Sequence, residues 1–220
     1  MNQALYPLPV LLVTVFLLIR AELREEQRSI YFFKPLSTLL VILVAALSLT
    51  TPKAEAGYPA GILAGLILSL GGDMALMFPS ARAFLTGLAL FLLAHVAYAV
   101  VFTWFNGFQA GDLVSGVVLL ALAIAIYLYL RPSLGKMNGP VIGYIAIVCL
   151  MVNRAISAFF GTAFTPTQAW LLAAGAVLFL ISDLMLAVNR FRRPFRYHRL
   201  SLAFYYGGQL LIALSPSYFG

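Results

Sequence analysis

The chain has a single cysteine, Cys149, two histidines, His95 and His198, and only 10% charged residues. One cysteine excludes an intrachain disulfide and a thiolate metal cluster, and Cys149 lies in an apolar run where a small packed side chain is the expected role. Two histidines, one of them in a basic loop, supply no ligand set for zinc, and neither a metal nor any other cofactor is expected. The Gly-x-Ser-x-Gly elbow is missing and no serine has an evident base beside it, so nothing points to a serine hydrolase. Charge is the scarcest commodity: soluble domains carry roughly 25% charged residues, whereas this chain sets its 10% against 63% hydrophobic residues and a mean hydropathy of +0.99. No segment remains for a solvated domain, which excludes a nucleic-acid partner despite a net charge of +7. Composition therefore describes an all-α, polytopic membrane protein.

Apolar runs of about the 17 to 25 residues needed to span the hydrocarbon are expected at 5–20, 35–51, 58–78, 83–104, 112–130, 139–159, 167–189 and 200–217, an eight-transmembrane-helix bundle forming one domain over 1–220. Short connections carry the Gly and Pro punctuation, among them Pro79, Asn106-Gly107, Pro132, Gly139-Pro140 and Pro166. The first run lacks a positive leader and is followed by Arg20, so it reads as a retained helix. Twelve of the 14 Lys and Arg residues fall in or beside the odd-numbered loops, the exceptions being Lys53 and Arg154. By the positive-inside rule the odd loops face the cytoplasm and both termini lie outside it. Arg154 is expected to snorkel to the outer interface, and the basic loop from Arg190 to Arg199 to meet anionic membrane lipids.

Against this apolar background, Asp183 stands inside Leu178-Phe-Leu-Ile-Ser-Asp-Leu-Met-Leu-Ala187. A carboxylate at such a place costs roughly 2.5 to 3.5 kcal/mol on insertion scales, which makes it a functional candidate. A second acid, Asp73, occupies the same context 110 positions earlier, and Gly65 and Arg82 match Gly175 and Arg192 at that offset. The offset divides the chain into a pseudo-repeat, 1–110 and 111–220. Helices 3 and 7 then run in the same direction, and each acid sits about 9 Å below the cytoplasmic surface at 1.5 Å per residue. Ser201, Tyr205 and Gln209 recur every fourth residue, a polar stripe that faces the bundle interior. His95 and Tyr98 share a face of helix 4, Ser182 precedes Asp183, and Lys34 stands at the mouth of helix 2 before Ser37 and Thr38, where its ammonium either snorkels or meets a phosphate headgroup.

The chemistry these groups permit is acid catalysis by a carboxyl pair, because burial disfavours the charged form and lets one acid donate while the other accepts. Asp183, flanked by Leu, Phe and Ile, is expected to be the donor, and Asp73, beside Gly71 and Gly72, the more open to water. A proton-coupled small-molecule transporter is the alternative reading, since it too would use two membrane carboxylates in repeated halves.

Gly72-Asp-Met-Ala-Leu-Met77, Phe91-Leu-Leu-Ala-His-Val-Ala-Tyr98, Ser182-Asp-Leu-Met-Leu-Ala187 leading to Asn189-Arg-Phe191, Tyr205-Tyr206 with Gln209, and Lys34-Pro35 together resemble the YhhN family of integral-membrane lysoplasmalogenases. The resemblance spans nearly the whole chain. It implies an ether hydrolase that cleaves the vinyl ether bond of a lysophospholipid substrate to a fatty aldehyde and a glycerophospho-alcohol, with Asp73 and Asp183 as the catalytic residues. It also suggests a bacterial inner-membrane protein. In such a protein Lys34, His95, Tyr98, Ser182, Tyr205 and Gln209 are the candidate substrate-binding residues, with the acyl chain running toward the midplane past His95 and Tyr98.

Overall fold

The computed structural model describes residues 3–49, 57–195 and 198–218, so the expectations for Lys53 and Arg196 fall outside the described residues, as does that for the side chain of His198. Among the described residues eight α-helices follow one another: α1 (Leu8–Leu23), α2 (Gln27–Ser48), α3 (Gly57–Leu76), α4 (Ala81–Asn106), α5 (Gly111–Leu130), α6 (Asn138–Ser157), α7 (Pro166–Ala187) and α8 (Ser201–Leu214). Among the described residues there is no strand.

The helix ends follow from local chemistry. Ser80 caps α4 by accepting from the Ala83 amide, and Gly107 closes that helix at φ 66°, a left-handed conformation that costs glycine little. Thr165 and Gln168 form a reciprocal capping box at the start of α7, where Pro166 gives up an amide that had no helical partner.

Among the described residues, seven helices are long and apolar enough to cross a membrane. The eighth, α8, has 14 residues, about 21 Å at 1.5 Å per residue. Its 3-10 extensions His198–Leu200 and Ser215–Tyr218 add about 14 Å, which brings it to the roughly 30 Å hydrocarbon thickness. Phe16, Ile67, Trp104, Leu113, Leu120 and Trp170 are exposed; on a chain of this composition an outward apolar shell is what lipid solvates. The protein is a multi-pass helical membrane protein.

Inside, α3 packs on α4 and α7 on α8. The second pairing depends on Gly175 and Gly208: a Cβ at Gly175 would stand 2.9 Å from the Gly208 carbonyl oxygen, and one at Gly208 would stand 2.6 Å from that of Gly175. Small residues at such a crossing let two backbones touch.

One boundary differs in a way that matters for function. α2 begins at Gln27, eight residues before the expected 35, and runs through Pro35. The proline removes one backbone donor without ending the helix. Lys34 is therefore not at a helix mouth but well inside α2, and buried.

Candidate active site

α2, α3 and α8 converge on Asp73, which is 2% exposed. Thr38 Oγ1 donates to Asp73 Oδ2 at 2.6 Å and the Tyr205 hydroxyl donates to the same oxygen at 2.7 Å. Lys34 Nζ lies 3.9 Å from Oδ1. Two hydroxyl donors and an ammonium form a shell that suits an ionised carboxylate, which can only accept. The shell is itself braced. Tyr206 donates to the Lys34 carbonyl at 3.0 Å. Gln209 Nε2 donates to the Tyr205 hydroxyl at 3.4 Å, and Tyr98 donates to Gln209 Oε1 at 2.8 Å. Gly71 and Gly72 do not open this acid to water, contrary to expectation. A Cβ at Gly72 would come within 2.7 Å of the Phe91 ring, so the missing side chain admits α4 and seals the site.

Asp183 has the other environment. On α7 its carboxyl accepts from the Tyr144 hydroxyl of α6 at 2.8 Å, and its side chain keeps 14% exposure. It lies in the wall of an apolar cleft between α4, α5, α6 and α7, lined by Phe84, Leu88 and Phe91, Ile126 and Leu130, Val141, Ile145 and Val148, and Leu180, Leu184 and Ala187. The expected order of exposure is thus reversed: Asp183 is the accessible acid and Asp73 the enclosed one. Behind Asp183 stands His95, fully buried, its Nε2 3.6 Å from Asp183 Oδ2. His95 Nδ1 lies 2.5 Å from the Phe91 carbonyl oxygen. A carbonyl only accepts, so Nδ1 carries the proton, and in the neutral ring Nε2 is then the lone-pair acceptor. Nε2 has no hydrogen-bond partner among the described residues.

Among the described residues no hydrogen bond or ion pair joins the two acids. The rings of Phe91, Phe179 and Tyr205 pack edge-on to one another, with centroids 5.3 to 6.2 Å apart. Tyr205 serves Asp73, while Phe179 packs on His95 at 4.5 Å. One layer of rings therefore joins the two sites.

Tyr205 and Gln209 of the polar stripe reach the Asp73 site, whereas Ser182, though buried, bonds to neither acid. His95 and Tyr98 serve different acids, and neither lines the cleft as an acyl path past them would require. Arg154 is 3% exposed and does not snorkel. It pairs with Asp112 at 2.5 Å, donates to Asn153 Oδ1 at 2.9 Å and covers the Phe108 ring, because the start of α5 supplies a closer anion than any interface.

Sequence reasoning missed Tyr144 and the hydroxyl of Tyr206. For Tyr144 the signal was the 110-residue offset, which carries Lys34 onto Tyr144, Asp73 onto Asp183 and His95 onto Tyr205. Each acid draws one partner from the helix before it and one from the last helix of the other half. Among the described residues no group of three or more His, Cys, Asp or Glu side chains is placed to hold a metal ion.

Among the described residues, an apolar bundle of eight helices with one enclosed acid and one in the wall of an apolar cleft defines a multi-pass membrane protein that carries two carboxyls among its helices. The chain belongs to the YhhN family, whose model matches residues 29–216. It is 36% identical over 160 residues to lysoplasmalogenase TMEM86A of Bos taurus, covering 70% of this chain and 64% of that protein, so the match spans just under two thirds of that relative. It is 33% identical over 192 residues to human lysoplasmalogenase TMEM86B, covering 87% and 77% of the two chains. Membrane protein YhhN of Escherichia coli O157:H7 is 30% identical over 212 residues, 92% and 94% of the two chains. No solved structure matches the chain.

Proposed function

We propose that the chain hydrolyses the vinyl ether bond of a lysoplasmalogen, or of a related ether lysolipid, to a fatty aldehyde and a glycerophospho-alcohol. The observation that carries this reading is the placement of Asp183: a carboxyl in the wall of an otherwise apolar cleft suits a substrate whose reacting bond is continuous with an aliphatic chain. The names of the bovine and human relatives support the same chemistry. Vinyl ether hydrolysis begins with proton transfer to the outer alkene carbon and passes through an oxocarbenium ion, which water captures. Asp183 donates that proton, a contribution of about 10² to 10⁴-fold for a placed general acid. Tyr144 then holds the resulting carboxylate with its hydroxyl. Asp73 is the second carboxyl of the pair, one ring layer away, where Thr38, Tyr205 and Lys34 hold it.

The cytoplasmic leaflet of a bacterial inner membrane is the proposed setting, with both termini outside the cytoplasm. Arg190, Arg192, Arg193 and Arg199 would face headgroups there. Purified protein in detergent, given a lysoplasmalogen, should release free aldehyde and leave the saturated alkyl ether analogue intact. Proton-coupled solute uptake by proteoliposomes without aldehyde release would favour the transporter instead.

A further inference from the structure

The two acid sites occupy matched positions but are furnished in opposite senses. Around Asp73 every polar contact is a donor: Thr38, Tyr205 and the Lys34 ammonium. Around Asp183 the position that matches Tyr205 is filled by His95, whose fixed Nδ1–H leaves an acceptor at Nε2 facing the carboxyl. A buried nitrogen lone pair with no protein partner is rare and asks for an explanation. A carboxyl facing a donor on one side and an acceptor on the other is suited to give a proton and take it back, whereas one ringed by donors is suited only to hold charge.

We propose that His95 is a catalytic residue, the general base that activates the water in this reaction, working with Asp183 as an acid–base pair. The inference rests on the hydrolase reading above. Neutral His95 and protonated Asp183 begin the cycle. Asp183 gives its proton to the outer vinyl carbon, the alkene π pair forms the new C–H bond, and the ether carbon becomes an oxocarbenium. A water oxygen attacks that carbon while His95 Nε2 takes one of its protons, giving a hemiacetal and an imidazolium. The hemiacetal then collapses: its hydroxyl proton returns to Asp183, the imidazolium proton goes to the departing glycerol oxygen, and the C–O bond breaks to leave the aldehyde. Both residues finish as they began, and only water is consumed. The Phe91 carbonyl keeps the proton on Nδ1, so that Nε2 is free to accept at the second step. The 3.6 Å between Nε2 and Oδ2 is too long for a direct hydrogen bond to compete.

The test is hydrolysis of a lysoplasmalogen in D₂O, with the unreacted substrate recovered and its outer vinyl carbon assayed for deuterium. In the wild-type protein water capture outruns reversal, so recovered substrate stays unlabelled while aldehyde is released. In His95→Gln, which keeps a polar side chain but no base, turnover should fall about 100-fold. The stranded oxocarbenium then returns a proton to Asp183, and recovered substrate should gain deuterium at that carbon. Turnover within tenfold of wild type, or a slow variant whose recovered substrate stays unlabelled, overturns the proposal. A second measurement needs no variant: ¹⁵N NMR of histidine-labelled wild-type protein should find His95 neutral with its proton on Nδ1, and a proton on Nε2 overturns it equally. Failure of the wild-type protein to release any aldehyde overturns the hydrolase reading; release by both wild type and His95→Gln at similar rates overturns the role of His95 alone.

Discussion

The ammonium of Lys34 lies 3.9 Å from Oδ1 of Asp73, and both side chains are buried. Each is the other's counter-ion in a region where neither is readily tolerated alone. Removing one partner of a buried pair strands the other, at about 3 to 5 kcal/mol. Lys34→Met and Asp73→Asn should each lower the unfolding temperature in detergent. The double variant should unfold above the sum of the two losses, because the second change removes the charge that the first exposed. Strictly additive losses would mean that the two groups do not interact.

A second ion pair closes the opposite end of the bundle, where Arg154 meets Asp112 and the Gly107 carbonyl. It shares no partner with either acid site, so its role is to fasten the start of α5 to the end of α6. Arg154→Met should cost stability of the same order, about 3 to 5 kcal/mol, read as a lower unfolding temperature. Turnover per folded molecule should be unchanged. A folded variant with lost turnover would tie this end of the bundle to the chemistry.

Much of this architecture was legible from residue chemistry. Asp73 and Asp183 stood out because nothing around them in sequence is polar enough to explain a carboxyl, and Pro166 marked the connection before α7. Tyr144 was not legible in the same way: one tyrosine in an apolar helix sets up no spacing pattern of its own, and the 110-residue offset that carries Lys34 onto it gains meaning only from its meeting with Asp183. The exposure of the acids was misread because Gly71-Gly72 suggests water access, whereas the Phe91 ring takes the space. Lys34 was misplaced because the apolar run was begun just after it, at 35, while α2 starts at Gln27 and passes straight through Pro35. Arg154 was misread because its partner, Asp112, is 42 positions away in sequence.

Orientation in the membrane is a prediction of charge alone. With twelve of 14 basic residues in or beside the odd-numbered connections, those connections should be cytoplasmic and both termini outside. A reporter that is active only in the cytosol, fused after Gly220, should be silent, and the same reporter placed in the connection between α5 and α6 should be active. The reverse pattern would invert the membrane assignment and put both acids nearest the outer leaflet.

The roles assigned to Asp183, Asp73 and Tyr144 predict an order of damage. Asp183→Asn keeps size and hydrogen bonding but has no proton to deliver, so turnover should fall more than 100-fold, in line with the contribution of a general acid. Asp183→Glu should recover little, since a displacement of about 1 Å can cost roughly 100-fold. Tyr144→Phe removes one hydrogen bond to a carboxylate, worth about 1.5 to 3 kcal/mol, and at 1.36 kcal/mol per decade should lower kcat by roughly 10- to 100-fold. KM should hardly move, because the bond gains its full strength only after Asp183 has given up its proton. Asp73→Asn should also lose turnover, as the Lys34, Thr38 and Tyr205 shell that braces the ring layer against Asp183 loses its anion. If membrane-inserted Asp183→Asn kept more than about a tenth of wild-type turnover, a loss of only ~1.4 kcal/mol, the carboxyl in the cleft wall would be structural and the proton would have to come from elsewhere.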